Sequence, residues 1–98
     1  MTEIEAVWLA GLLEGEGYFG LYRGDRPVVE VKMTDRDVVE RVGALFGNPN
    51  VVFIPAANER CQPQYRARVR GAGAVEIMRR ILPHMGQRRT ARITELLG

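Results

Sequence analysis

The sequence predicts one small α+β domain with the order helix, strand, strand, helix, strand, strand, helix, helix. The four strands form one curved antiparallel sheet, with the helices on one face and the other face open. Three observations predict it. Tyr18 to Arg23 and Val28 to Met33 both read as strands and flank Gly24-Asp25-Arg26-Pro27, which has turn chemistry, so they form a hairpin. Gln64 to Arg70 alternates cleanly, with Tyr65, Ala67 and Val69 on one side and Gln64, Arg66, Arg68 and Arg70 on the other. Around these strands lie segments whose apolar residues recur at helical spacing.

In the first helix, Thr2 and Glu5 have capping-box spacing, so it starts near Glu3. Leu9, Leu12 and Leu13, with Trp8, cover one broad face. Gly11 and Gly15, in line with Val7, leave a second stripe nearly without side chains. A glycine inside a helix costs roughly 1 kcal/mol against alanine. Two at this spacing imply that another backbone comes close, most simply the same helix of a second chain. Glu14 and Glu16 are a further anomaly, because acids are disfavoured at a helix C-terminus. Carboxylates beside exposed carbonyls suit a hard divalent cation, and equally form a solvated acidic turn.

In the hairpin's second strand, Val29, Val31 and Met33 alternate with Glu30 and Lys32. Thr34 with Asp37 predicts a capping box for the second helix, whose stripe is Val38, Val42, Leu45 and Phe46. Asp37 and Arg41 would pair on its surface, and Gly47-Asn48-Pro49 would stop it. Asn50 to Ile54 reads as a strand and Pro55 to Pro63 as a polar loop. Gly71 to Gly73 leads into a helix with Val75, Met78, Ile81 and Leu82 inward, ended by Pro83. A last helix from about Gln87 carries Ile93, Leu96 and Leu97.

Ninety-eight residues with 46% hydrophobic and 27% charged residues are an ordinary globular composition near the lower limit for a sizeable core. No apolar run approaches the roughly 20 residues of a membrane span, and no signal peptide is evident, so a cytoplasmic protein without a membrane partner is expected. The single Cys61 excludes an internal disulfide and a cysteine zinc site. His84 has no partner at metal spacing. Net charge is only +2, but it is unevenly placed: nine acids and five bases precede Asn50, while three acids and nine arginines follow. Positive charge confined to one half is the footprint of a polyanion binder.

Leu9 to Gly17, L-A-G-L-L-E-G-E-G, resembles the signature of the LAGLIDADG homing endonucleases, with Glu for Asp, Leu for Ile and Gly15 for the usual Ala. The element order follows that family across nearly the whole chain. The resemblance implies a homodimeric, sequence-specific double-stranded DNA endonuclease that lays its sheet in the groove of a long, nearly palindromic site. It implies Mg²⁺ or Mn²⁺ held by Glu16 and the Gly15 carbonyl, with two copies of Glu16 brought together where the helices cross. Val7, Gly11, Glu14 and Gly15 would form the dimer interface, Glu14 bonding the partner's helix end. Arg88 would stand beside the scissile phosphate, with Arg89 the register alternative. Tyr18, Tyr22, Glu30, Lys32, Gln64, Arg66 and Arg68 would line the open sheet face, and Arg23, Arg26 and Arg70 would meet phosphates at strand ends. Many relatives carry a polar residue near the catalytic water where Met33 stands here, a role Lys32 could fill. The alternatives are a cleavage-deficient binding module of the same fold, like a maturase or regulator, and a small oligomeric protein unrelated to nucleic acid.

Overall fold

The elements fall in the expected order in a computed structural model that describes residues 1–98. They are α1 (Glu3–Glu16), β1 (Gly17–Tyr22), β2 (Arg26–Met33), α2 (Arg36–Phe46), β3 (Val52–Ile54), β4 (Gln64–Arg70), α3 (Ala72–Ile81), a 3-10 turn (Leu82–His84) and α4 (Gln87–Leu97). The capping box of α1 is complete. Glu5 N–H donates to Thr2 Oγ1 at 3.1 Å, and Thr2 N–H donates to Glu5 Oε1 at 2.7 Å. At its other end α1 runs straight into β1 through Gly17, where a Cβ would lie 2.7 Å from the Leu13 carbonyl oxygen. Only glycine permits that approach, so the signature's last residue is explained by backbone geometry.

The sheet order is β1-β2-β4-β3, antiparallel throughout. Phe19, Val29, Val31 and Ala67 face the helices and are buried against Leu9, Ala10 and Leu13 of α1, Val39, Val42 and Phe46 of α2, Ala74, Ile77, Met78 and Ile81 of α3, and Ile93 of α4. Register fixes what lies on the opposite, open face. One row runs Tyr18, Glu30, Arg68; the next Gly20, Val28, Arg70; a third Lys32, Arg66, Val52.

Several expectations shift. Asp35, not Thr34, is the N-cap of α2; its side chain makes no cap bond and instead accepts from the Thr34 hydroxyl at 3.1 Å. The surface pair is Arg36–Glu40 at 2.6 Å, because Arg41 stacks 3.8 Å over the Trp8 ring. Val39 and Gly43 replace Val38 and Leu45 on the buried stripe of α2, and Ala74 and Ile77 replace the half-buried Val75 and Leu82 on that of α3. At Gly43 a Cβ would lie 2.9 Å from the Asn48 carbonyl oxygen, a close approach that apolar periodicity alone does not mark. Strand β3 starts two residues late, at Val52, and Leu96 and Leu97 are only half-buried. No helix is long and apolar enough to cross a membrane.

Candidate nucleic-acid interface and acidic helix end

The misplaced charges of α1 and α4 explain one another. The C-terminus of α1 abuts the N-terminus of α4. Glu14 Oε1 accepts from the Gly86 N–H at 2.5 Å, so this acid, wrong for its own helix, lies at the positive end of another. Arg89 is the reverse case. Its Nε donates to the Glu14 carbonyl at 3.1 Å, and its guanidinium lies 5.6 Å from the Phe19 ring centroid. Burial, with the nearby Arg88 charge, holds the Arg89 pKa below the usual guanidinium value, and Glu14 partly offsets this. Arg92 strengthens the same joint, donating from Nε to the Phe19 carbonyl at 3.2 Å. Sequence reading missed both contacts of Glu14 and Arg92, since neither spacing nor composition pairs residues more than seventy apart. Glu14's bond lies within its own chain; a contact to a second chain is left to its remaining oxygen.

Glu16 and Arg88 have no such explanation. Both are exposed, and neither side chain has a hydrogen-bond or ion-pair partner. Glu16 borders a depression of about 320 Å³ on the open face, together with Tyr18, Glu30 and Lys32. Met33 lies on the other side of β2, opposite Tyr65 and packed against the core, so Lys32 is the residue that the strand turns toward the acidic end. Met33, standing where many relatives carry a polar residue, thus faces the helices, and its neighbour Lys32 takes the open side. No three His, Cys, Asp or Glu side chains cluster in one chain. One chain therefore offers a hard cation a single unengaged carboxylate, beside last-turn carbonyls that lack helical partners. That oxygen donor set suits a hard cation only together with further ligands.

On the sheet, the expected residues do share the open face, but not equally. Tyr18 lies over Gly20, where a Cβ would run into the phenol oxygen, so the missing side chain makes room for the ring. Arg70 stacks 4.0 Å over Tyr22, and Arg23 lies 5.3 Å from the same ring. Arg23 has the left-handed φ of 53° ahead of Gly24 at 83°, which moves the turn one residue earlier than expected, and Arg26 begins β2. Arg66, Arg68 and Arg70, with Asn48, Asn50 and Val52, border a depression of about 390 Å³ where β3 is too short to cover β4. Asn48 Nδ2 caps that bare edge by donating to the Arg68 carbonyl at 2.8 Å. Gln64 stands half-exposed opposite Ile54.

Glu30 is the least accessible of these residues. It borders the depression beside Glu16 yet is only 8% exposed, because two arginines cover it. Arg68 Nη2 and Nε reach its Oε1 at 2.8 and 3.2 Å, and Arg66 Nε stands 3.5 Å from the same oxygen.

A helical layer on one face of an open antiparallel sheet, with a glycine-bearing helix ending at the sheet's rim, is the LAGLIDADG homing-endonuclease fold. Among solved structures, the chain is similar to the homing endonuclease I-CvuI in complex with its target in the presence of 2 mM calcium. That match has a TM-score of 0.70 and 16% identity, over 97% of this chain and 64% of that one. It is also similar to an archaeal intron-encoded homing endonuclease, I-Vdi141I, complexed with DNA, at a TM-score of 0.66 and 15% identity, over 89% of this chain and 61% of that one. The chain thus spans less than two thirds of either. No protein-family model and no curated protein matches the sequence.

Proposed function

We propose that the chain is a sequence-specific, double-stranded DNA endonuclease that acts as a homodimer and hydrolyses one phosphodiester on each strand. The observation that carries this is the sorting of the charges at the α1–α4 joint. Glu14 and Arg89 are consumed by the fold, whereas Glu16 and Arg88 are left exposed and unpartnered.

Glu16 and the Gly15 carbonyl would hold Mg²⁺ or Mn²⁺, which supplies charge neutralisation on the phosphate and a more acidic water. Arg88 neutralises charge on the scissile phosphate, and Lys32 donates to a phosphate oxygen or water in the depression it shares with Glu16. Tyr18, Gln64, Arg66 and Arg68 face base edges from the sheet, and Arg23, Arg26, Tyr22 and Arg70 hold the backbone where the strands end. Pairing two chains along the α1 stripe supplies the second carboxylate and gives the two-fold symmetry of a nearly palindromic site.

The test is incubation with a duplex library and Mg²⁺, for wild type and Glu16→Gln. Wild type should bind selected sites, cut them on both strands and lose affinity steeply with salt. Glu16→Gln should keep specific binding and lose cleavage by about 10³-fold or more, the scale of losing a group that stabilises transition-state charge. Binding without cutting by wild type would establish the cleavage-deficient module instead. Absent or salt-insensitive binding would reject nucleic-acid recognition altogether.

A further inference from the structure

We propose that Glu30 is a positioning residue for base recognition: it fixes Arg66 and Arg68 against the groove and does not touch DNA itself. The inference rests on the DNA-recognition reading above and deepens it.

A carboxylate on a face that meets a polyanion is repelled unless something neutralises it. Here two guanidiniums converge on one oxygen, so the cluster of Glu30, Arg66 and Arg68 keeps a surplus of one positive charge. Neutralising the acid needs only one of them. Arg68 is held by two bonds, from Nε and Nη2, which fix both the position and the plane of its guanidinium and leave the Nη1 hydrogens and the second Nη2 hydrogen free for a base. Arg66 has its Nε buried and without a hydrogen-bond partner, 3.5 Å from Glu30 Oε1, so only its outer nitrogens are free. Both side chains are about three-quarters covered (26% and 25% exposed), although no helix packs on this face.

Bidentate reading of guanine by arginine needs the guanidinium in a defined plane. An arginine tethered on folding does not lose that freedom again on binding, which raises discrimination between bases. The other sheet-face arginines contrast with this. Arg70 and Arg26 are tied to no acid, and Arg70 rests on an aromatic ring, a placement suited to contacting phosphate without reading sequence. The register explains why Glu30 can serve both arginines. It sits directly opposite Arg68 and one diagonal step from Arg66.

The experiment compares binding to a selected duplex and a scrambled one, at two salt concentrations, for wild type, Glu30→Gln, Arg68→Lys and the double variant. Glu30→Gln should bind the scrambled duplex several-fold more tightly, because an acid is lost and two cations are freed. Its salt slope should steepen by roughly one. The ratio of selected to scrambled affinity should fall about 10-fold. Arg68→Lys keeps the charge but cannot form the fork, so it should lose a similar ratio, and the double variant should lose little more. An unchanged ratio in Glu30→Gln, or additive losses in the double variant, overturns the proposal. If circular dichroism shows Glu30→Gln unfolded, Arg68→Lys alone decides: full discrimination there overturns it equally. Wild type that fails to distinguish the two duplexes would instead overturn sequence-specific recognition itself.

Discussion

Two adjacent arginines, Arg88 and Arg89, have opposite fates. In the sequence they are interchangeable, a basic pair at a helix start where the dipole disfavours them. In the fold, Arg89 turns inward to the last turn of α1, and Arg88 stays in solvent beside it. Substitution should separate them. Arg89→Met should lower stability in urea by about 1.5 kcal/mol, the low end for a hydrogen bond made by a charged group. Arg88→Met should leave the urea midpoint unchanged while cutting cleavage at least 10-fold. The reverse pattern would show that the register is shifted by one and that the active-site base is Arg89. The same logic separates Glu14 from Glu16. Two acids two residues apart on one helix end point in different directions, and only the neighbour each one meets reveals its work.

The first turn of α1 depends on two carboxylates. Glu3 accepts from Arg80 Nη1 at 2.9 Å and bonds His84 Nε2 at 2.8 Å, tying the start of the chain to the end of α3 and the 3-10 turn. The hydrogen bond from His84 is the main reason that the Glu3 pKa lies below the ordinary glutamate value, with Arg80 adding to it. Glu5 is lowered chiefly by the Thr2 backbone N–H. Because both folded-state values are depressed, their contribution is complete above the pH at which an unfolded-chain glutamate ionises. It is lost as pH falls through the lower folded values. Acid should therefore fray the start of α1 before the sheet opens. NMR should show the amides of Glu5 and Ala6, both bonded to Thr2, losing exchange protection below about pH 4.5 while those of β2 and β4 keep theirs. Glu3→Gln should remove much of that pH dependence. The capping box was legible in the sequence because its partners are three residues apart. The bridges to Arg80 and His84 were not, because their partners are contributed by packing. The same division holds elsewhere. Strand β4 and both ends of α1 follow from local pattern, whereas the buried place of Gly43 depends on the chain that folds back at Asn48 and Val51.

The whole molecule leaves one face of α1 without a neighbour. Ile4 is 81% exposed and Val7 49%, and Gly11 and Gly15 continue the same line. A Cβ on either glycine would meet nothing within 4 Å, so the protomer's own packing does not require them. This differs from Gly17 and Gly20, each of which makes room for atoms of its own chain. Glycines that cost helix stability and leave empty space beside them are accounted for if a second copy of α1 crosses there, placing two Glu16 side chains near one another. The proposal gives effects of opposite sign. Gly11→Ala should stabilise the isolated protomer by up to about 1 kcal/mol through helix propensity, yet weaken self-association, because even one methyl separates crossing backbones. Gly11→Leu should leave a folded monomer that binds half-sites and cuts neither strand. Denaturation at low concentration and sedimentation equilibrium measure the two effects separately. An unperturbed dimer in Gly11→Leu would remove the crossing, and with it the account of how one carboxylate per chain becomes a two-strand cutter.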